Sequence, residues 1–284
     1  MVTEEQLAAL DLTLWLGSTE RAAEVDFSNQ STISRRHHKV LRQFGIELKR
    51  TKAELEISGD LFLLDMERQV HQMARLKRQR DLRLQAPFWL QNSPGIDPPK
   101  GWRMNSQRAD LSCTDPVTLL REHILDACLA TPTQIPNERN DLCIFELHNR
   151  PIDLTLLKQH NQSERDLADR FQWSLEQGNL ELKLMPFLPA SCRKSSQKWF
   201  QYMLTPNQPE RHNTKVLRPS MHSGESFLVA YLTPEMRMAQ PLPCQVEPHF
   251  EPYPYTEHLV VLAQHANEPA VLTLIESLEH QIGR

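Results

Sequence analysis

The sequence lacks the features of membrane, secreted and zinc-binding proteins. No apolar run approaches the roughly 18 residues that a membrane-spanning helix needs. Met1 is followed by acidic residues rather than by the basic and apolar segments of a secretory signal. The five cysteines are scattered without CxxC spacing, which is typical of reduced thiols and disfavours a metal bound through sulfur. From 284 residues of ordinary composition we expect a soluble, cytoplasmic protein with two or three domains.

Common catalytic motifs are also missing. The chain contains no GxSxG, HExxH or GxxxxGK[ST] pattern, and its histidines do not have the spacing of metal ligands. Cys192 is followed by two cations that would favour a reactive thiolate, although an inert thiol is the simpler interpretation. We predict a protein that is not an enzyme and has no metal or cofactor. An enzyme with a C-terminal histidine or cysteine site is a remote alternative.

The formal net charge of −4 conceals a basic segment between Ser28 and Lys52, in which the sole acid is Glu47. Local charge matters more than the total, because phosphate contacts are short-range and screened beyond about 8 to 10 Å. The segment therefore suggests contact with nucleic acid. Its bases are Arg35, Arg36, Lys39, Arg42, Lys49, Arg50 and Lys52.

Three helices and a small wing are predicted around this segment. Apolar spacing predicts a first helix over Thr3–Leu16, and Gly17-Ser18 ends it and begins a short second helix. A third helix starts near Ser28 and ends at Phe44, with Gly45 suited to its left-handed C-terminal position. The alternating segment Ile46–Ile57 predicts a two-stranded wing. This order is that of a helix-turn-helix, whose third element enters the major groove of DNA.

Polar side chains at the start of the third helix are suited to reading DNA, because amides and arginines pair with purines and hydroxyls donate or accept. Helix capping and a solvated face are the alternative interpretation. The residues predicted to contact base edges and phosphates are Gln30, Ser31, Thr32, Ser34 and Arg35, Ser28 is predicted to bind DNA at the start of the helix, and the predicted phosphate contacts are Arg36, Lys39, Arg50 and Lys52. His37 and His38 point about 100° apart on a helix, so we expect one to be packed and one to lie near DNA rather than a shared metal.

A long helix is predicted from Gly59, with an apolar stripe spaced by three, four and three residues. Dimerisation is the favoured role of this stripe, and packing within one chain is the alternative. The stripe consists of Leu63, Met66, Val70 and Met73.

The remainder of the chain alternates short apolar runs with helical patterns, which predicts an α/β region with a largely parallel sheet. The predicted strands are residues 82–90, 101–106, 126–130, 152–157, 180–184 and 259–263, and the predicted helices are residues 116–125, 163–176 and 268–281. The run 227–232 is buried in either case, and its type is left open.

The run GSTERAAEVDFSNQSTISRRHHKVLRQFGIELKR, followed by ELEISGD at 54–60, resembles the N-terminal motif of LysR-type transcriptional regulators. LLREHILDACLA, HSGESFLVAYLTPEM (222–236, a helix in that family) and HLVVLAQHANEPAVLTLIESL resemble later parts of the family. The resemblance implies a winged helix-turn-helix at 1–58, a linker and dimerisation helix at 59–80 and a regulatory region at 81–284. That region is a two-lobed α/β fold like periplasmic binding proteins, with lobe I at 81–153 and 254–284, lobe II at 154–253 and crossovers near Asp153 and Tyr253.

The same resemblance implies a sequence-specific regulator that binds double-stranded DNA as a homodimer or homotetramer, responds to a small-molecule effector at unknown residues and contacts RNA polymerase, without a membrane partner. Asp26 and His37 replace apolar residues of the family, and Lys49 replaces an aromatic. The segment 91–100 is proline-rich where the family has a helix that helps to bind the effector. An alternative is therefore a DNA-binding protein whose C-terminal region no longer binds small molecules and serves oligomerisation or a protein partner.

Overall fold

The structure, a computed structural model, describes residues 2–50, 55–87, 90, 96–105, 115–130, 135–157, 164–176, 180–184, 225–232, 237, 244–246 and 253–282. Of the residues singled out above, Lys52, Cys192 and residues 91–95 of the proline-rich segment lie outside this part of the chain. No helix in the described ranges is both long enough and apolar enough to cross a membrane.

Three helices and a hairpin form the N-terminal unit, which we call the head. The helices are α1 (Glu4–Leu16), α2 (Thr19–Val25) and α3 (Gln30–Phe44), and strands β1 (Glu47–Arg50) and β2 (Leu55–Ser58) pair in an antiparallel hairpin. Local chemistry sets the boundaries. Gly17 ends α1 at φ 70°, and the Ser18 hydroxyl accepts the Glu20 amide proton at 3.1 Å to begin α2. Gly45 ends α3 at φ 65°. The predicted winged helix-turn-helix is thus present.

Helix α4 (Phe62–Arg78) follows the head and leads into the C-terminal region. The strands of that region are β3 (Leu82–Gln85), β4 (Trp102–Met104), β5 (Ala127–Ala130), β6 (Leu142–Leu157), β7 (Leu180–Leu184), β8 (Glu225–Leu232), β9 (Cys244–Val246) and β10 (Tyr253–Leu262). Its helices are α5 (Pro116–Arg121), α6 (Glu164–Glu176) and α7 (Pro269–Ile282), with a 3₁₀ turn at Ala263–His265. The strand order is β4-β3-β5-β10-β6-β8-β7, and β9 pairs with β6.

Strand β6 changes its partner halfway along its length. It pairs with β10 as far as Ile152, which lies opposite Tyr253, and from Asp153 it pairs with β8. Arg237 donates to the Asp153 carboxylate at 2.7 Å beside this change. One strand therefore belongs to two sets of pairings. The domain boundaries given above stay a prediction.

The mixed α/β class with an N-terminal winged head is confirmed, but two details were wrong. The sheet is mixed rather than largely parallel: β3 runs parallel to β4 and β5, and β7 to β8, whereas β10 and β6 are antiparallel to each other and to their other partners. The two long strands run in opposite directions through the middle of the sheet. Residues 225–232 form a strand rather than a helix, because this short apolar run pairs along both of its edges.

Two predicted elements are shorter than expected. The strand that begins at Leu82 ends at Gln85, two residues before Pro87, which has no amide proton for a sheet. The helix that begins at Pro116 ends at Arg121, and His123 adopts φ 59°, which no helix continues through.

Buried apolar side chains join the head to the C-terminal region. A single cluster contains Leu10, Trp15 and Ile33 of the head together with Leu120 and Ile124 of the C-terminal region. From Ala9 to Leu16, helix α1 is buried on all sides because α2 and α3 contact one face, while α4 and the segment that begins with α5 cover the others. A second cluster packs α7 against the sheet. The head thus shares a core with one face of the sheet, and α7 packs on the other face in the second cluster.

Candidate nucleic-acid interface

The amino-terminal end of α3 is open to solvent. Its inward face buries Ile33, His37 and Val40 in the head. Among the predicted base-reading residues, Gln30, Ser31 and Arg35 are exposed, and Thr32 and Ser34 are half-buried. The described parts of the C-terminal region do not cover this end of the helix. The amphipathic sequence of α3 produces this separation, because the apolar residues recur at helical spacing.

The first residues of α3 are oriented by contacts within the head. Asn29 occupies the N-cap position with extended backbone, and the amides of Thr32 and Ile33 donate to its carbonyl oxygen at 2.8 and 3.1 Å. The Gln30 side-chain amide donates to the Thr19 hydroxyl at 3.1 Å, which ties it to the start of α2. Ser28 differs from the other predicted contacts. Its hydroxyl oxygen is buried with no hydrogen-bond partner in the described structure, so contact with a base would require the turn to rearrange.

Several of the cations are held by partners within the head. The Arg36 guanidinium donates to the Asp26 carboxylate at 2.9 Å. The half-buried Asp26 thus has a counter-charge within the head. Arg35 donates to the Ser31 carbonyl oxygen one turn earlier at 3.2 Å and remains exposed. Arg50 donates to the Gly17 carbonyl oxygen at 3.1 Å and so ties the wing to the end of α1. Lys39 is exposed on α3. Positive charge therefore lies on both α3 and the wing.

The two adjacent histidines occupy different environments. His37 is 4% exposed, and its ring stacks on that of exposed His38 with centroids 4.4 Å apart. Burial, with a smaller contribution from His38, lowers the pKa of His37 to about 4. His38 Nδ1 lies 2.8 Å from the Ser34 carbonyl oxygen, to which it donates in the tautomer protonated there. No group of three potential metal ligands occurs in the part of the chain that the structure describes.

Buried ionic contacts connect the head to α4 and β3. The Arg68 guanidinium donates to the Asp11 carboxylate at 2.9 Å, and Arg83 approaches the other oxygen of that carboxylate at 3.5 Å. The Arg75 guanidinium makes a bidentate contact with Asp126 at 2.9 and 3.0 Å. All five groups are at most 6% exposed. We call them the ionic junction, because they join three parts of the chain.

Two further contacts support the ionic junction. The Trp15 indole donates to the Gln85 side-chain oxygen at 2.6 Å, and Arg103 donates to the Val25 carbonyl oxygen at 2.6 Å. The sequence analysis did not predict this interface between the head and the C-terminal region. The signal for it was that α1 carries apolar residues around its circumference, which is typical of a helix that is covered on all sides.

A cavity of about 240 Å³ lies beside the ionic junction, between the head, α4 and the sheet. Charges of both signs line it, including Glu5 and Asp26 of the head, His71 of α4 and Arg80 and Arg103 of the C-terminal region. Most of these charges face opposite charges. Arg36 pairs with Asp26, and Arg103 pairs with Asp81 at the rim. The cavity is therefore a polar cleft whose charges largely balance.

The predicted apolar stripe of α4 is exposed. The opposite face of α4 carries Leu64, Gln72 and Leu76, which are buried against the head and the C-terminal region. The stripe residues are 63% (Leu63), 48% (Met66), 64% (Val70) and 41% (Met73) exposed, and Phe62 adds a ring that is 69% exposed. The described residues of the chain therefore do not cover the stripe.

Comparison with known proteins gives matches among solved structures alone. No protein-family model and no curated protein matches the chain. A full-length cysteine variant of OxyR from Pseudomonas aeruginosa is 15% identical over 98% of each chain, with a TM-score of 0.42. CbnR in complex with its target DNA is 14% identical over 98% of this chain and 99% of its own, with a TM-score of 0.41. CrgA from Neisseria meningitidis is 13% identical over 100% of both chains, with a TM-score of 0.38. The CrgA structure is that of a LysR-type transcriptional regulator.

Proposed function

We propose that the protein is a sequence-specific transcriptional regulator that binds double-stranded DNA through α3 and is controlled through its C-terminal region. The observation that carries the proposal is the open amino-terminal end of α3, with Gln30, Ser31 and Arg35 exposed while the opposite face of the helix is buried. A helix of this kind fits the major groove, where its first residues reach the base edges.

Within this proposal the side chains of α3 divide by chemistry. Gln30 and Arg35 can each make two hydrogen bonds to a purine, whereas the hydroxyls of Ser31, Thr32 and Ser34 contact either bases or phosphates. Arg36, Lys39, Arg50 and Lys52 are proposed to contact phosphates, which position the head without specifying sequence. Arg36 and Arg50 already have partners within the head, so Lys39 is the phosphate contact best suited to a test.

A second copy of the chain is the proposed partner of the exposed α4 stripe. Helices with this apolar spacing pair along their length, and burial of the stripe in a homodimer removes its side chains from water. Two heads then face a two-fold related DNA site, and further pairing of dimers gives a tetramer. Because the ionic junction fixes the head to α4 and β3, a signal at the C-terminal region is proposed to act by moving the two heads relative to each other. Such coupling requires an effector, or a contact with polymerase, that favours one arrangement.

Selection of bound duplexes from a random pool tests the proposal, with Arg35→Ala and Lys39→Ala as the matched variants. The wild-type protein should enrich a two-fold related sequence. Arg35→Ala should lose preference at one position of each half-site by about tenfold, the range of a lost purine contact. Lys39→Ala should weaken binding to all sequences alike. It should also reduce the slope of log K against log salt concentration by about one, the value for one lost phosphate contact. Failure to enrich any sequence contradicts the proposal.

A further inference from the structure

Phe27 is an aromatic residue in a backbone position that suits glycine. It has φ 52°, in the left-handed region that a side chain with a β-carbon disfavours. The reason is the way α2 ends. The Ser28 amide donates to the Ala23 carbonyl oxygen at 2.9 Å, and the Phe27 amide donates to the Glu24 carbonyl oxygen at 3.4 Å. These two hydrogen bonds form a Schellman motif, in which Phe27 occupies the position usually taken by glycine.

The Phe27 ring is left uncovered by the part of the chain that the structure describes. It is 91% exposed, the highest value among the large apolar side chains that the structure describes. Nearly complete exposure of a phenyl ring and a left-handed backbone are both unfavourable in the isolated protein. Backbone outliers cluster at functional sites, and Phe27 combines one with an uncovered ring.

The position of Phe27 relative to α3 is fixed on both sides. The preceding residue, Asp26, is paired with Arg36 in the second turn of α3. The residue two places later, Asn29, is the N-cap of α3. Phe27 therefore lies at the same end of α3 as Gln30 and Ser31, and it is bordered by a basic segment that favours a polyanion as its neighbour.

We propose that the Phe27 ring contacts the C5-methyl group of a thymine next to the bases that α3 reads. This inference rests on the proposed function and adds one specificity-determining residue to the same site. Phenylalanine has no hydrogen-bonding group, and the thymine methyl is the apolar group that base pairs present in the major groove. The ring would then be covered in the complex, which offsets its exposure in the unbound protein.

Replacement of thymine by deoxyuridine tests the contact, because the two bases differ in the methyl group alone. Each thymine of the selected site is replaced in turn, and binding is measured by fluorescence anisotropy with wild-type protein and with Phe27→Asn. The wild-type protein should bind about fourfold more weakly when one particular thymine per half-site is replaced, the factor for one buried methyl-sized group. Phe27→Asn should bind the two duplexes equally. Leu272→Asn, which changes an apolar residue of α7 that is 44% exposed, should retain the wild-type preference.

We expect Phe27→Asn to fold, because asparagine tolerates the left-handed backbone of position 27 better than phenylalanine. Phe27→Asn should therefore melt no lower than wild-type protein. Equal binding of every uracil duplex by wild-type protein overturns the inference, as does an unchanged thymine preference in Phe27→Asn. If Phe27→Asn changes the mass of the protein in analytical ultracentrifugation and leaves its DNA preference unchanged, the ring is a self-association contact. That result would also overturn the inference. If Arg35→Ala loses its preference at one position of each half-site while uracil has no effect on any duplex, the inference fails and the proposed function stands. If no sequence is enriched at all, both fail.

Discussion

Removal of the Asp11 charge should destabilise the protein strongly, because this carboxylate compensates two buried guanidinium groups. Asp11 and Arg68 are each 1% exposed, and the Arg68 guanidinium lies 2.9 Å from the Asp11 carboxylate. The Arg83 guanidinium lies 3.5 Å from the other oxygen of the same carboxylate. Burial, followed by the nearby Arg75 charge, lowers the pKa of Arg83 to about 10, and the Asp11 carboxylate opposes this shift by stabilising the charged guanidinium. Asp11→Asn keeps the shape of the side chain and removes the charge. The expected loss is about 3 to 5 kcal/mol of unfolding free energy, the range for breaking a buried ion pair from one side.

Urea unfolding followed by tryptophan fluorescence measures this loss, since Trp15 lies on the same helix as Asp11. Arg68→Met alone should also be strongly destabilising, because it leaves a buried carboxylate with the more distant Arg83. The double variant Asp11→Leu with Arg68→Met should cost less than the sum of the single variants, since no half of the pair remains unpaired. Glu47→Gln is the matched surface control: its ion pair with Lys49 at 3.2 Å is exposed, and its loss should cost less than about 1 kcal/mol.

The outcome that would refute the reasoning is a small effect of Asp11→Asn, below about 1 kcal/mol and equal to that of Glu47→Gln. Arg68 and Arg83 would then be solvated in solution, and the head would not be fixed to α4 and β3 through the ionic junction. A large effect with strictly additive single and double variants would show that Asp11 stabilises the fold through a partner other than Arg68.

Two further predictions concern pH and assembly. His37 has a folded-state pKa of about 4 against an ordinary value of 6.5, so below pH 6.5 protons bind more readily to the unfolded chain and stability falls as the pH drops towards 4. His37→Leu should remove about 2 kcal/mol of the loss between pH 7 and pH 5 in urea unfolding, and equal pH profiles for wild type and His37→Leu would contradict this. Val70→Glu places two like charges in the proposed α4 dimer and should weaken dimerisation at least about a hundredfold by analytical ultracentrifugation. Leu272→Glu is its control, and an unchanged dimer in Val70→Glu would exclude this face as the interface.

The outer limits of the helices in the head could be predicted because their signals are local. Ser18 caps α2 with its own hydroxyl, and Gly17 and Gly45 end helices at positive φ, so neighbouring residues suffice to place these boundaries. The separation of α3 into a buried and an exposed face follows from helical spacing in the same way. The candidate base-reading residues were therefore accessible to sequence reasoning, except that the burial of the Ser28 hydroxyl depends on how the turn before α3 closes.

The sequence by itself determined the winged head, the alternation of strands and helices that follows it, and the apolar stripe of α4, because periodicity and capping act between residues a few positions apart. The tertiary structure alone decided that residues 225–232 form a strand, that β6 and β10 run antiparallel, and that Asp11 meets Arg68, which is 57 residues away in the chain. These features depend on which distant segment supplies the second partner of a hydrogen bond or the counter-charge of a buried ion, and no local pattern carries that information. The all-round burial of Ala9–Leu16 in α1 has the same origin, since one face of this helix is covered by residues that follow it by a hundred positions or more.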